Sequence, residues 1–116
     1  MDPTIWGPPL WKFLHSIPFA YGADRLQATP KEQKHMYTFL ESLKHVLPCS
    51  CKLNYKKHFK ENPPRLNNRR ELFEWLVDLH NTVNMEFNTN SKNNGKPLKK
   101  LYTYKEVEQM YIQLYQ

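Results

Sequence analysis

The chain has 116 residues, 40% of them apolar and 14% aromatic, which is enough to fill one core and too little for two domains. Seventeen basic against eleven acidic residues leave a net charge of +6, which points to an anionic partner without choosing among nucleic acid, an acidic protein, a membrane surface or a phosphate-bearing cofactor. No apolar stretch approaches the ~20 residues that cross a bilayer, and Met1-Asp2-Pro3-Thr4-Ile5-Trp6 lacks the basic-then-apolar pattern of a secretory signal, so a soluble intracellular protein is expected. With only two cysteines the chain is no secreted disulfide scaffold, yet the two lie one residue apart, in Pro48-Cys49-Ser50-Cys51-Lys52, and that placement asks for a chemical explanation.

In chain order, prolines and capping signals predict a series of helices. Pro8-Pro9 suits a first turn, followed by a helix over residues 10–21 with Leu10, Leu14, Ile17 and Tyr21 on one stripe and Pro18 kinking or shortening its end. Residues 22–28 read as a connector. Thr29-Pro30-Lys31-Glu32 is a capping box with proline at the first helical position. It opens a second helix expected to turn Met36, Phe39, Leu43 and Val46 inward, until Pro48 breaks it. A short third helix is expected to start at the cysteines, run through Tyr55 and Phe59 to Asn62, and stop at Pro63-Pro64. Asn68 with Glu71 opens the fourth and best-patterned helix, to about Phe87. Residues 88–100, rich in Asn and Lys, read as a loop, and Thr103 with Glu106 caps a last helix with Tyr104, Val107, Tyr111 and Leu114 on one face. Strand-like alternation and repeats are absent from the sequence, so the predicted fold class is all-α: a bundle of four or five short helices, one domain over residues 1–116.

The fourth helix carries the strongest chemical signal. At about 100° per residue, Leu72, Phe73, Leu76, Val77, Val83 and Phe87 form one apolar arc, with His80 in its middle and Asn84 beside it. A buried imidazole or amide without a hydrogen bond costs about 1–3 kcal/mol. Backbone groups, or the two residues themselves, can satisfy that demand. So can a buried polar ligand, toward which the neighbouring Asn81 and Trp75 tilt the balance. The first helix repeats the theme: Trp11 and His15 are four apart, hence neighbours along one edge of the apolar stripe. They read either as a core aromatic with a satisfied histidine or as one wall of a slot for a planar ring.

Cys49 and Cys51 fall where a helix N-terminus is expected, where free amides and the dipole favour a thiolate and Lys52, Lys56 and Lys57 add positive potential. Redox chemistry, two unrelated buried thiols and half of a zinc site completed by His45 and His58 are all open. Zinc sites usually space their cysteines by two to four residues, so no metal is expected. Lys92, Lys96, Lys99 and Lys100 either neutralise phosphates or form a solvated face. The whole chain has three glycines, too few for a glycine-rich phosphate loop. No recognised nucleic-acid module fits, which leaves a basic nucleic-acid-binding bundle as an alternative only.

Read together, these motifs resemble the Erv/Alr family of flavin-dependent sulfhydryl oxidases. Trp6-Gly7-x-x-x-Trp11-x-x-x-His15 resembles its first-helix motif. Pro48-Cys49-Ser50-Cys51-Lys52 with Tyr55 and Asn62-Pro63-Pro64 resembles its redox segment. Phe73-x-Trp75-x-x-x-x-His80-Asn81-x-Val83-Asn84, followed by Lys96-Pro97, resembles its flavin helix. The resemblance implies a four-helix bundle with a short fifth helix, usually a homodimer, with FAD at the mouth of the bundle. It places Trp11, His15, Trp75, His80, Asn81, Val83, Asn84 and Lys96 around FAD. Cys51 becomes the flavin-side cysteine and Cys49 the outer sulfur attacked by substrate thiolates. Electrons then pass from protein thiols, or from a relay redox protein, to molecular oxygen, releasing hydrogen peroxide. An FAD-binding protein without turnover is the alternative that keeps the cofactor.

Two departures stand out. The family carries Cys-x-x-Cys where this chain has Cys-x-Cys; a bridge across one residue closes a small, strained ring, which raises the reduction potential, and the pair failing to bridge is the alternative. The family's downstream structural cysteine pair is also missing. Compact members of this kind resemble the oxidases of large cytoplasmic DNA viruses, which implies a viral protein at work in the host cytoplasm or the virion.

Overall fold

The computed structural model describes residues 3–22, 26–48, 52–95 and 97–112. Five α-helices lie among the described residues: α1 (Pro3–Ser16), α2 (Pro30–Val46), α3 (Lys52–Glu61), α4 (Arg69–Asn94) and α5 (Tyr104–Ile112), with a 3-10 turn at Ile17–Phe19 after α1. The all-α expectation holds, and no strand occurs among the described residues.

Helix α1 begins at Pro3, five residues before the first turn expected at Pro8-Pro9, so that Pro8 and Pro9 lie inside it. Each removes one backbone donor. The loss falls near the exposed start of the helix, where Ile5, Pro8 and Pro9 face water and the freed carbonyls can be hydrated. Pro18 acts as expected: α1 ends at Ser16 and the chain tightens into the 3-10 turn, with Pro18 buried.

The Thr29 capping box forms in full, with Glu32 N–H donating to Thr29 Oγ1 at 3.1 Å and Thr29 N–H donating to Glu32 Oε1 at 2.9 Å. The inward stripe of α2 differs from the expected one. Met36 and Leu43 do pack on the core, but Leu40, fully buried, is the central residue, while Val46 is 68% exposed and Phe39 lies at the edge against Phe13. Met36 and Leu43 belong equally to a 36-39-43-46 stripe and a 36-40-43-47 stripe, and packing chose the second. Leu47, preceding Pro48, takes the extended backbone that proline imposes on its predecessor and ends the helix.

One core joins Leu14 and Tyr21 to Leu40 of α2, Tyr55 and Phe59 of α3 and Leu72, Trp75, Leu76 and Leu79 of α4. A second cluster, Phe73, Val77, Val107 and Tyr111, seats α5 on the other side of α4. Buried on both sides, α4 is the central helix of a four-helix bundle, and α5 is the short fifth. Trp75, 1% exposed, donates from Nε1 to Asn62 O at 2.9 Å and packs against His58 and Phe59, locking the end of α3 to α4. Helix α4 runs to Asn94, beyond the expected end near Phe87, because no proline or glycine interrupts it until Gly95, whose φ of +72° supplies the left-handed stop.

Candidate functional site

The half of α4 that follows Leu79 carries the polar signal. His80 is half-buried and its ring stacks on Trp11 of α1, with centroids 3.9 Å apart and planes 10° apart. His15, 2% exposed, shares a 2.9 Å hydrogen bond between its Nε2 and His80 Nδ1. Tyr102 and Tyr111 extend the cluster, 5.8 Å from the His80 ring and 5.5 Å from the His15 ring. Trp11 and His80 thus stack on each other rather than forming opposite walls of a slot, and a planar ligand must lie against an outer face or edge of this stack.

Burial keeps both imidazoles neutral. It lowers His15 to about 4 and His80 to about 3, with His15 and Lys99 adding smaller repulsions to His80. A neutral imidazole has one donor and one acceptor, so after their mutual bond each ring keeps one nitrogen for another partner. His15 Nδ1 is buried with no hydrogen-bond partner among the described residues, as are His58 Nε2 and Trp6 Nε1.

The depressed values set a stability profile. Below pH ~6.5 the unfolded chain protonates these histidines while the folded chain does not, so the unfolded state binds more protons and stability falls as pH drops toward about 4. Above that range both states are neutral and the pair contributes no slope. The expected fall is up to about 1.4 kcal/mol per pH unit for each histidine. Urea midpoints measured at pH 7.5, 6.0 and 5.0 check it, and equal midpoints at all three would contradict it.

Asn81 and Asn84 face the returning chain after α4. Asn81 donates from Nδ2 to Tyr102 O at 2.7 Å and accepts from Tyr102 N–H at 2.8 Å. Asn84, 4% exposed, donates to Lys100 O at 3.0 Å. Asn88, which sequence reasoning missed, pairs in the same two-sided way with Lys99, donating to its O at 2.8 Å and accepting from its N–H at 2.6 Å. These three asparagines, spaced i, i+3, i+7 on one face, hold residues 99–102 along α4 much as a neighbouring strand would. That spacing was a readable signal. Its partner is bare backbone and left none.

Trp75 faces α3 and belongs to the core against which Trp11 also packs. Val83 is half-buried. Lys96, Cys49 and Cys51 lie outside the described residues. Of the other lysines expected near phosphates, Lys99 Nζ sits 4.3 Å from the Phe87 ring centre and Lys100 is paired with Glu106. His58, buried beside Trp75 and lowered by burial, is a polar core group that its exposed lysine neighbours in the sequence concealed.

Helix direction adds one more relation. Glu86, near the end of α4, faces Asn54 and Lys57 in the first turns of α3, while Trp75 meets Asn62 at the other end. The two helices therefore run antiparallel, and the start of α3, to which Cys51 is bonded through Lys52, lies toward the half of α4 that carries His80 and Asn84.

Comparison with known proteins identifies a family and a fold. Residues 8–104 match the model of the Erv1 / Alr family. The chain is 35% identical over 88 residues to an Acanthamoeba polyphaga mimivirus protein named a probable FAD-linked sulfhydryl oxidase, covering 72% of this chain and 59% of that one. It is 35% identical over 79 residues to the mitochondrial FAD-linked sulfhydryl oxidase ERV1 of Saccharomyces cerevisiae, covering 67% of this chain and 40% of that one. The chain thus spans about half the length of these curated relatives. A crystal structure of the FAD-binding domain of Erv1 from Saccharomyces cerevisiae superposes with a TM-score of 0.81 at 26% identity, covering 100% of this chain and 99% of that one.

Proposed function

The chain belongs to the Erv1/Alr family, and from that membership we propose that it is an FAD-dependent thiol oxidase that forms disulfides in protein substrates. The observation that carries this reading is the antiparallel placement of α3 and α4, which sets the start of α3, next to the only two cysteines, toward the end of α4 that bears the Trp11–His15–His80 cluster. A flat, half-buried aromatic face and the unpartnered His15 Nδ1 fit a planar cofactor rich in heteroatoms.

In this reading Trp11 and His80 supply the stacking face, His15 holds His80 in orientation, and Asn81 and Asn84 fix the 100–102 backbone that closes the site. Trp75 sets the packing of α3 on α4; Val83 and Lys96 line the FAD by the resemblance alone. Thiol exchange proceeds at the cysteines: a substrate thiolate attacks Cys49, the Cys49–Cys51 bond breaks, and Cys51 leaves as thiolate. A second substrate thiolate then attacks the mixed disulfide, releasing Cys49 and the substrate disulfide. Two electrons and two protons have left the substrate. When bound, FAD supplies the two-electron chemistry that returns Cys49 and Cys51 to the disulfide and delivers the electrons to oxygen, which takes up two protons as hydrogen peroxide.

The partners are protein thiols or a relay redox protein. No helix among the described residues is long and apolar enough to cross a membrane. Viral relatives, including one of Invertebrate iridescent virus 6 at 30% identity over 86% of its length, support a viral protein acting in the host cytoplasm. Phe13 and Phe39, exposed and in edge contact across α1 and α2, support the homodimer that the resemblance implies. The direct check is purified protein with a dithiol: a flavin spectrum together with oxygen uptake is the expected result. A flavin spectrum without uptake would leave the cofactor and remove the oxidase. A colourless, DNA-binding protein would remove both.

A further inference from the structure

Helix α3 buries Tyr55, His58 and Phe59. Its outer face carries Lys52, Lys56, Lys57 and Lys60, all exposed, with Leu53 67% exposed among them. Residues 52, 56 and 60 form one stripe along the helix, and 53 and 57 run beside it. Glu61, the last residue, is the only carboxylate of α3, and its first turn has none. Lysine at the positive end of a helix, without a compensating acid, works against the dipole, so this pattern is not what helix stability alone selects. Of these four lysines, Lys57 faces Glu86 of α4, and the ion pairs among the described residues involve other cations: Lys44, Arg65, Arg70 and Lys100. This cationic face begins at the residue bonded to Cys51.

We propose that the outer face of α3 is the substrate-docking surface of the oxidase, and that it selects protein thiols set in acidic sequence, with Leu53 as an apolar contact flanked by Lys52, Lys56 and Lys57. The proposal rests on the thiol-oxidase reading for its location. Its physical basis is charge complementarity: a one-signed face concentrates oppositely charged partners and speeds their encounter, while a small neutral thiol is indifferent to it.

Two dithiol peptides of equal length, one with glutamates and one with glutamines flanking the cysteines, test this on the flavin-loaded protein beside dithiothreitol. At about 0.02 M salt, kcat/KM for the glutamate peptide is expected to be roughly tenfold higher, and the difference should vanish above about 0.5 M salt, where screening acts within a few ångströms. In K56E/K60E, whose altered residues are exposed, the preference should reverse when each peptide's kcat/KM is taken relative to that variant's own dithiothreitol rate. Equal kcat/KM for the two peptides in the wild-type protein overturns the proposal, as does a preference that survives in K56E/K60E. Peptides with serine in place of cysteine, followed by fluorescence anisotropy, separate the two readings. If no thiol is oxidised yet the glutamate peptide binds more tightly and K56E/K60E abolishes the difference, the oxidase reading fails and the docking face stands. A single-stranded oligonucleotide of equal charge that binds more tightly than the glutamate peptide assigns the face to nucleic acid and overturns the proposal.

Discussion

Replacing Cys51 with serine is expected to abolish thiol oxidation while leaving flavin bound. The chain has two cysteines, so the loss of either leaves no intrachain disulfide to exchange with a substrate. A serine hydroxyl cannot accept a thiolate in its place. Removing the residue that forms a covalent intermediate lowers turnover by roughly a thousandfold or more. The aromatic cluster of Trp11, His15 and His80 is built without either cysteine, so the flavin spectrum should persist. Cys49→Ser should lose turnover with protein substrates equally. The two variants differ in what survives: with Cys51 retained, a small thiol can still pair with the sulfur that the resemblance places nearest the flavin. Oxygen-uptake rates matched to bound flavin check this, and wild-type turnover in Cys51→Ser would contradict the proposed electron route.

Trp75→Ala is expected to produce the largest loss of stability of any single substitution in the molecule. The indole is 1% exposed, is the largest fully buried side chain, and joins α3 to α4 through Phe59, His58 and the bond to Asn62 O. Truncation of such a residue costs about 3–5 kcal/mol through lost burial and the cavity left behind. In a domain of this size that corresponds to a fall in Tm of roughly 10–20 °C. Trp75→Phe separates the two contributions, since it keeps most of the ring and removes the donor to Asn62 O, a bond worth about 0.5–1.5 kcal/mol at that exposed residue. Thermal and urea unfolding measure both. A Trp75→Ala protein within about 1 kcal/mol of the wild type would show that the α3–α4 junction is not the keystone of the core.

Much of the fold was legible because its signals are local. The Thr29–Glu32 and Thr103–Glu106 capping boxes and the Asn68 cap, whose Oδ1 accepts from Glu71 N–H at 2.9 Å, each lie within four residues and do what their sequence implies. The pairing of helices was not legible in the same way. The periodicity of α2 permitted two inward stripes, and only the shape of the opposing surface decided for Leu40 over Phe39. The polar composition of residues 88–94 implies a loop, yet α4 continues through them, because asparagines with a bonding partner extend a helix well enough when nothing breaks it. In the candidate site the neighbourhood of Trp11 and His15 follows from their four-residue spacing, whereas the stacking of His80 on Trp11 and its bond to His15 do not: residues 65 and more apart in sequence carry no mark of contact. The periodicity of α4 turns Asn84 toward the core and sets Asn81 beside it, but the backbone of residues 100–102 that they grip has no side-chain signature.

The most direct test of the account is anaerobic titration of the flavin-loaded protein with a dithiol, followed by admission of air. The wild-type protein is expected to lose the oxidised-flavin absorbance on addition of one equivalent of dithiol, regain it in air, and release one hydrogen peroxide per disulfide formed. Absorbance that stays unchanged while thiols are oxidised, or bleaching that is equally rapid with protein dithiols in Cys51→Ser, would contradict it.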